Sequence, residues 1–343
     1  MMVHSILVPM LAGFAVFMLG MKMMELALHR SAGKHLDHIL KRSTATPIHG
    51  MVVGTATTAV LQSSTAVTVM SIGLVNAGLL TFPRTLGIVL GTNIGTCLTT
   101  ELIGLNISSF ALPMLELSLC VWVITVLIGE TGLLPALPSR RRSAVRLGAA
   151  GGSPSLQAGS WLLPVRNAAV IVGGFSLLLV GMKMMQSVSP AVQASGLFSL
   201  FLTKAESSVL WGLAAGIVLT AAVHSSAAVI AIIMGFAAAG VMPVPIGIAV
   251  VIGANIGTCV TAVLASLGGT KSGQYVAWAH VALNVGGAVL FAPLVGQLHD
   301  MMQWLTDSPA AQIAHAQTIF NIAGSLLALP LCYLPALQRL TPR

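Results

Sequence analysis

The sequence predicts an all-α membrane protein built from two inverted-topology repeats, each with a re-entrant helical hairpin and a discontinuous transmembrane helix. Three observations carry that reading. Only 7% of the 343 residues are charged and 56% are hydrophobic, with mean hydropathy at +0.94, a balance that fits the bilayer as solvent. The chain matches itself at an offset of 161 to 162 residues. Its Lys and Arg residues also gather on one side of the layout that this repeat implies.

The repeat is legible in polar strings, which apolar drift does not reproduce. Phe14–Met24 falls on Phe175–Met185, both ending in Gly-Met-Lys-Met-Met. Gln62-Ser63-Ser64-Thr65 falls on His224-Ser225-Ser226-Ala227, and Gly91–Cys97 falls on Gly253–Cys259 with Asn-Ile-Gly-Thr-Cys in common.

Repeat one is expected over 1–130: a helix at about 5–28, a short-helix pair at 47–80, a broken helix at 83–104 and a helix at about 110–130. A cytoplasmic linker, 131–165, follows, where Pro135, Pro138, Arg140 to Arg142 and Gly151-Gly152 break the apolar pattern. Repeat two, 166–296, is expected to hold a helix at about 166–187, a pair at 207–240, a broken helix at 245–267 and a helix at about 275–296. An additional transmembrane helix at 313–337 closes the chain.

Each half of the pair is too short for the roughly 20 residues that a crossing needs, so the pair re-enters on its own side. Three net crossings per repeat then invert the second repeat relative to the first. With the N-terminus outside and the C-terminus cytoplasmic, thirteen of the sixteen Lys and Arg residues lie on the cytoplasmic side. Lys204 falls outside, and Lys22 and Lys183 lie within helices. This is the positive-inside pattern of a multi-pass inner-membrane protein.

The net charge of +8 sits in loops without aromatic interleaving, which reads as topology and not as nucleic-acid binding. Met1–Leu19 lacks a basic leader and a small-residue cleavage site, so it is expected to be a retained helix. Cys97, Cys120, Cys259 and Cys332 lie in apolar segments with no metal-ligand spacing, which suits buried thiols. No cofactor is expected beyond coupling ions.

At the hairpin tip, Ser63, Ser64 and Thr65 would open the second half-helix, whose unpaired amides and positive dipole end attract anions. Ser225 and Ser226 would do the same from the other side. The alternative, hydroxyls bonding back to helix carbonyls, is weakened by the duplication. The glycines around Asn93 and Asn255 suit an unwound segment, whose carbonyls, with the side-chain oxygens of Asn93, Asn255, Thr92, Thr96 and Thr258, would coordinate a hard cation such as Na+. The alternative there is close helix packing through small residues. Glu101 and Glu116 stand out as intramembrane ionisable groups, while Glu25 reads as interfacial and Lys22 and Lys183 as snorkelling anchors in preference to substrate attractors. The Met-rich stretches read as packing.

The Gln-Ser-Ser-Thr and His-Ser-Ser-Ala strings, each followed by Asn-Ile-Gly-Thr, resemble the Gln-Ser-Ser-Ser repeats of the type II sodium/phosphate cotransporter family. The resemblance covers nearly the whole chain, and His280, Asn284 and Phe320-Asn321 resemble bacterial members. Many members carry a C-terminal soluble helical domain, for which this sequence shows no counterpart. The resemblance implies phosphate held by Ser63, Ser64, Thr65, Ser225 and Ser226, with Asn93 and Asn255 supporting the broken helices, and sodium near Gln62, Thr258 and Thr261. Two positions depart from the family pattern: His224 replaces a Gln and Ala254 replaces a Ser. Both departures remove oxygen ligands from one candidate sodium site.

The function expected is sodium-coupled symport of inorganic phosphate by alternating access, with phosphate, sodium and the lipid bilayer as partners and a homodimer as the assembly to test. A rival uses His224 for proton coupling, or runs the same transport outward or on a related oxyanion. Another class is a non-transporting sensor or an intramembrane enzyme. Against an enzyme, no Ser-His-Asp or paired-carboxylate set is legible, and neighbours such as His224 and Ser225 do not face each other on a helix.

Overall fold

The computed structural model of the chain describes residues 2–42, 46–105, 107–131 and 161–338. Most of the expected linker, 132–160, lies outside the described residues. The described residues form helices and turns only, and seven of the helical stretches are long and apolar enough to cross a membrane. The protein is an all-α membrane protein.

In chain order the helices are α1 (Met2–Arg42), α2 (Pro47–Leu61), α3 (Ser64–Asn76), α4 (Phe82–Gly104), α5 (Ala111–Thr131), α6 (Leu162–Gln186), α7 (Ser189–Gln193) and α8 (Gly196–Ser207). They continue with α9 (Val209–Val223), α10 (Ser226–Ala238), α11 (Val244–Gly257), α12 (Cys259–Ser266), α13 (Lys271–Phe291), α14 (Val295–Leu305), α15 (Pro309–Ala328) and α16 (Pro335–Gln338).

Proline and capping chemistry set many of the boundaries. α1 runs past the expected end near residue 28, and the chain restarts at Pro47, where Thr46 is extended and its hydroxyl accepts from the His49 amide at 3.3 Å. Pro293 breaks the helix after Phe291 into a 3-10 turn, Ala292–Leu294, before α14. Pro330 does the same after α15. α7 and α8 fill a stretch in which the sequence predicted no helix.

α1 and α6, the first helices of the two repeat units, run antiparallel at a close crossing. A Cβ at Gly13 would stand 2.9 Å from the Gly181 carbonyl oxygen, and one at Gly174 would stand 2.7 Å from the Gly20 carbonyl oxygen. Gly13 and Gly174 are repeat mates, as are Gly20 and Gly181, so the contact exchanges equivalent positions, as a two-fold interface does. Phe17, Leu178, Leu179 and Met185 are buried beside it.

The expected broken helix at 83–104 is corrected: α4 is continuous through Gly91–Thr96. In the second unit the interruption is one residue, Thr258, which keeps helical angles (φ −62°, ψ −24°) and donates its amide to the Ala254 carbonyl at 3.2 Å. The glycines admit neighbouring backbone instead of unwinding their own. A Cβ at Gly91 would meet the Thr55 amide nitrogen at 2.7 Å, and one at Gly216 the Ala254 amide nitrogen at 2.7 Å. α2 thus lies directly on α4, and α9 on α11.

Candidate functional site

The four short apolar helices α2, α3, α9 and α10 position the site. At about 1.5 Å per residue, the 15 residues of α2 and 13 of α3 each cover about 20 Å, short of a hydrocarbon core of about 30 Å. The turn between them is two residues. Gln62 takes left-handed angles (φ 54°, ψ 26°) and donates its amide to the Thr58 carbonyl at 2.7 Å. Ser63 is extended, and its hydroxyl accepts from the Ala66 amide at 3.2 Å, capping α3.

The second tip repeats this geometry. His224 is left-handed (φ 56°, ψ 23°) with its amide donating to the Thr220 carbonyl at 2.8 Å, and the Ser225 hydroxyl accepts from the Ala228 amide at 3.3 Å. Left-handed backbone costs an L-residue roughly 1–2 kcal/mol, so its recurrence with two different side chains shows that the turn itself is retained.

Both tips face one cavity of about 320 Å³, lined by Gln62, Ser63, Ser64, Thr65, Thr96 and Thr99 from the first unit and His224, Ser225, Ser226, Ala227, Thr258 and Thr261 from the second. Met18, Met21, Lys22 and Glu25 of α1 complete the wall. The amides of Ser64, Thr65, Ser226 and Ala227, and the hydroxyls of Ser64, Thr65 and Ser226, make no hydrogen bond among the described residues. Two helix N-termini, each carrying up to about half a positive charge, therefore present free donors to one space. That arrangement suits an oxyanion.

The threonines suit a cation. Thr96 donates to the Thr92 carbonyl at 2.8 Å, Thr258 to the Asn255 carbonyl at 2.5 Å and Thr261 to the Thr258 carbonyl at 2.7 Å. Each hydroxyl proton is committed, which leaves oxygen lone pairs for the cavity.

Three of the residues expected to hold phosphate or sodium do not line the cavity. Thr92 is fully buried and donates to the Val89 carbonyl at 2.7 Å. Asn255 is buried and donates to the Val251 carbonyl at 3.0 Å, and Asn93 donates to the Asn284 amide oxygen at 3.3 Å. These are contacts within and between helices, and they follow from α4 and α11 staying wound. Asn284 also donates to the His280 carbonyl at 2.9 Å, and Asn321 donates to the Cys97 sulfur at 3.3 Å, so these residues knit α13 and α15 to the site's scaffold.

Thr99, Lys22 and Glu25 also line the cavity, and Thr99 was not singled out in the sequence. Thr99 donates to the Gln62 side-chain oxygen; its repeat mate is Thr261, a signal that the offset alone carries. Lys22 and Glu25 form an ion pair at 3.0 Å on the cavity wall, a placement open to the substrate-attracting alternative for Lys22. Glu101 lies away from the cavity, where it pairs with His315 Nδ1 at 2.8 Å and accepts from Thr318. Glu116 is exposed on α5.

Comparison with known proteins decides the family: residues 16–132 and 165–328 match the Na+/Pi-cotransporter family. The chain belongs to that family. It is 33% identical to YqeW, an uncharacterised protein of Bacillus subtilis (strain 168), over 95% of this chain and 94% of YqeW. It is 24% identical to YjbB of Escherichia coli (strain K12), whose name proposes inorganic phosphate export, over 94% of this chain and 53% of YjbB. The chain thus spans about half of YjbB's length. It is 32% identical to sodium-dependent phosphate transport protein 2A of Rattus norvegicus over 29% of this chain and 16% of that protein. No solved structure gives a significant match.

Proposed function

We propose that the chain is a secondary transporter that binds inorganic phosphate between the two hairpin tips and carries it across the inner membrane by alternating access, coupled to sodium. The observation that carries this reading is the meeting of two repeat-related helix N-termini, with free amides and hydroxyls, in one cavity. A hydrogen bond to a charged group contributes about 1.5–3 kcal/mol, and Ser64, Thr65 and Ser226 supply three hydroxyl donors besides the amides. The family and the phosphate-related names of its relatives support phosphate as the anion.

Gln62, Thr96, Thr258 and Thr261 are the oxygen ligands assigned to sodium in this reading, with Thr99 added by its contact with Gln62. The antiparallel exchange of glycines between α1 and α6 supports inverted repeats, and the distribution of Lys and Arg supports an N-terminus outside. Each hairpin would then re-enter from one side, its tip at mid-depth, where irregular backbone is tolerated because it lines a cavity.

Outward transport is a second reading, favoured by the export function that the name of YjbB proposes. Symport follows its gradients, so the same site serves both directions.

Phosphate flux in proteoliposomes, with sodium and proton gradients imposed separately, tests the proposal. Uptake driven by an inward sodium gradient is expected. Flux that follows only the proton gradient overturns sodium coupling, and no phosphate flux under either gradient overturns the transporter reading.

A further inference from the structure

Among the described residues, Lys22 brings the one ammonium to the cavity wall and Glu25 the one carboxylate. The Lys22 ammonium stands 3.0 Å from both carboxylate oxygens of Glu25, which lies one helical turn further along α1. A bare carboxylate beside two anion-binding tips would repel an oxyanion bound there. Pairing with Lys22 removes that repulsion, but it also occupies the cation that an oxyanion would seek.

We propose that Lys22 and Glu25 form an exchangeable ion pair: an oxyanion at the hairpin tips takes over Lys22, and the released Glu25 carboxylate binds the coupling cation, Na+ or a proton. The inference deepens the transport reading and rests on it. It adds a cation ligand from α1 to the threonine oxygens that line the same space. It also gives the coupling a physical origin, because each ligand removes the group that competes with the other. Linkage then requires the anion to raise cation affinity by the same factor as the cation raises anion affinity.

The repeat supplies an internal control. Lys183 is the mate of Lys22, but the mate of Glu25 is Gln186, so α6 carries no equivalent pair. Lys183 is exposed and does not line the cavity. The other titratable group on the cavity wall is His224. α6 also carries Arg166, α2 carries His49, α1 continues to His29 and Arg30, and α7 and α10 bring no ionisable side chain to α1.

The test is phosphate binding to the purified full chain, titrated with sodium at fixed pH and with pH at fixed potassium. In the wild type, the cation that binds Glu25 is expected to raise phosphate affinity by about fivefold or more. Glu25→Gln is expected to abolish that enhancement while binding phosphate at least as tightly as wild type without the cation. The arm that loses its dependence identifies the cation. Lys22→Gln is expected to weaken phosphate binding about tenfold or more, the effect of losing one charged hydrogen bond. Adding Glu25→Gln to Lys22→Gln should restore part of it, a non-additive result. Lys183→Gln is expected to behave as wild type. Full cation enhancement in Glu25→Gln, or additive effects in the double variant, overturns the exchange. A wild type that binds phosphate with no cation enhancement in either arm also overturns it and leaves the anion site standing, whereas a wild type that binds no phosphate overturns both readings.

Discussion

Gln62 and His224 adopt the same left-handed conformation, φ 54° and ψ 26° against φ 56° and ψ 23°, although one side chain is an amide and the other an imidazole. Among the described residues these are the two non-glycine positions with positive φ. The conformation stops α2 and α9 and turns the chain so that Ser63 and Ser225 cap the next helix. The tip is therefore specified by its backbone, and the side chain at its corner is free to differ between the two units.

That separation gives a stability test. His224→Gly relieves the left-handed cost and is expected to hold or raise stability by about 1 kcal/mol. His224→Val, whose β-branch fits that conformation poorly, is expected to lower it by about 1–2 kcal/mol. Thermal unfolding in detergent reads both, and equal midpoints for the two variants would show that the corner carries no strain.

Ser64→Ala and Ser226→Ala each remove a free hydroxyl donor from the cavity without touching the caps made by Ser63 and Ser225. Each is expected to weaken phosphate binding about tenfold or more at unchanged expression, from the loss of about 1.5–3 kcal/mol. Unchanged affinity in both would return these serines to ordinary helix packing.

The tips were legible in the sequence because duplication exposes polar strings in an apolar chain. Gln62 to Thr65 and His224 to Ser226 lie together in the cavity, as the offset suggested. The glycines around Asn93 and Asn255 were not legible in the same way. Gly-x-x-x-Gly composition serves both an unwound segment and a close helix crossing, and nothing in one sequence says whether a neighbour's backbone is there to fill the gap. Lys22 and Glu25 stayed ambiguous for a related reason: a charge within an apolar helix reads as an anchor or as a substrate attractor until the tips of other helices are known to face it.

Gly91 separates those two uses directly. A Cβ there would stand 2.7 Å from the Thr55 amide nitrogen and 2.9 Å from the Met51 carbonyl carbon, so Gly91→Ala must push α2 away from α4. Overpacking of this kind costs about 1–3 kcal/mol, and the unfolding midpoint should fall by several degrees. An unwound Gly91 with open space at its Cβ and negative φ would respond oppositely, since Ala has less conformational freedom to lose on folding and stabilises such a position by about 0.4–1 kcal/mol. A raised midpoint would therefore overturn the packing account.

Topology can be read from single cysteines placed in a chain freed of its own exposed thiol, Cys120. Position 36 follows the first membrane span on α1, and Ser195 lies between α7 and α8, beyond the second unit's first helix. A membrane-impermeant thiol reagent is expected to reach position 195 from outside and position 36 only after permeabilisation. Labelling of both from one side would remove the inverted arrangement and, with it, alternating access through repeat exchange.

The two tips differ most at their corners. Gln62 is engaged on both ends of its amide: it accepts from Thr99 and donates to the Ala59 carbonyl at 2.6 Å. His224 lines the same cavity, is exposed, and makes no side-chain hydrogen bond among the described residues, while Thr261, the mate of Thr99, bonds back to its own helix. The second corner thus offers an imidazole free to accept a ligand where the first offers a locked amide. If His224 acts as a neutral ligand, His224→Gln recreates the first tip's Gln–Thr contact with Thr261 and adds an amide oxygen, so transport is retained and its sodium dependence steepens. If the imidazole carries protons through the cycle, the same change flattens the pH profile between about pH 5 and 8, where histidine side chains change charge, and leaves sodium dependence as it was. The free ring and the matching threonine favour the first outcome. Phosphate uptake measured against sodium and against pH, for wild type and His224→Gln side by side, decides between them, and a flattened pH profile with unchanged sodium dependence would make His224 a proton carrier.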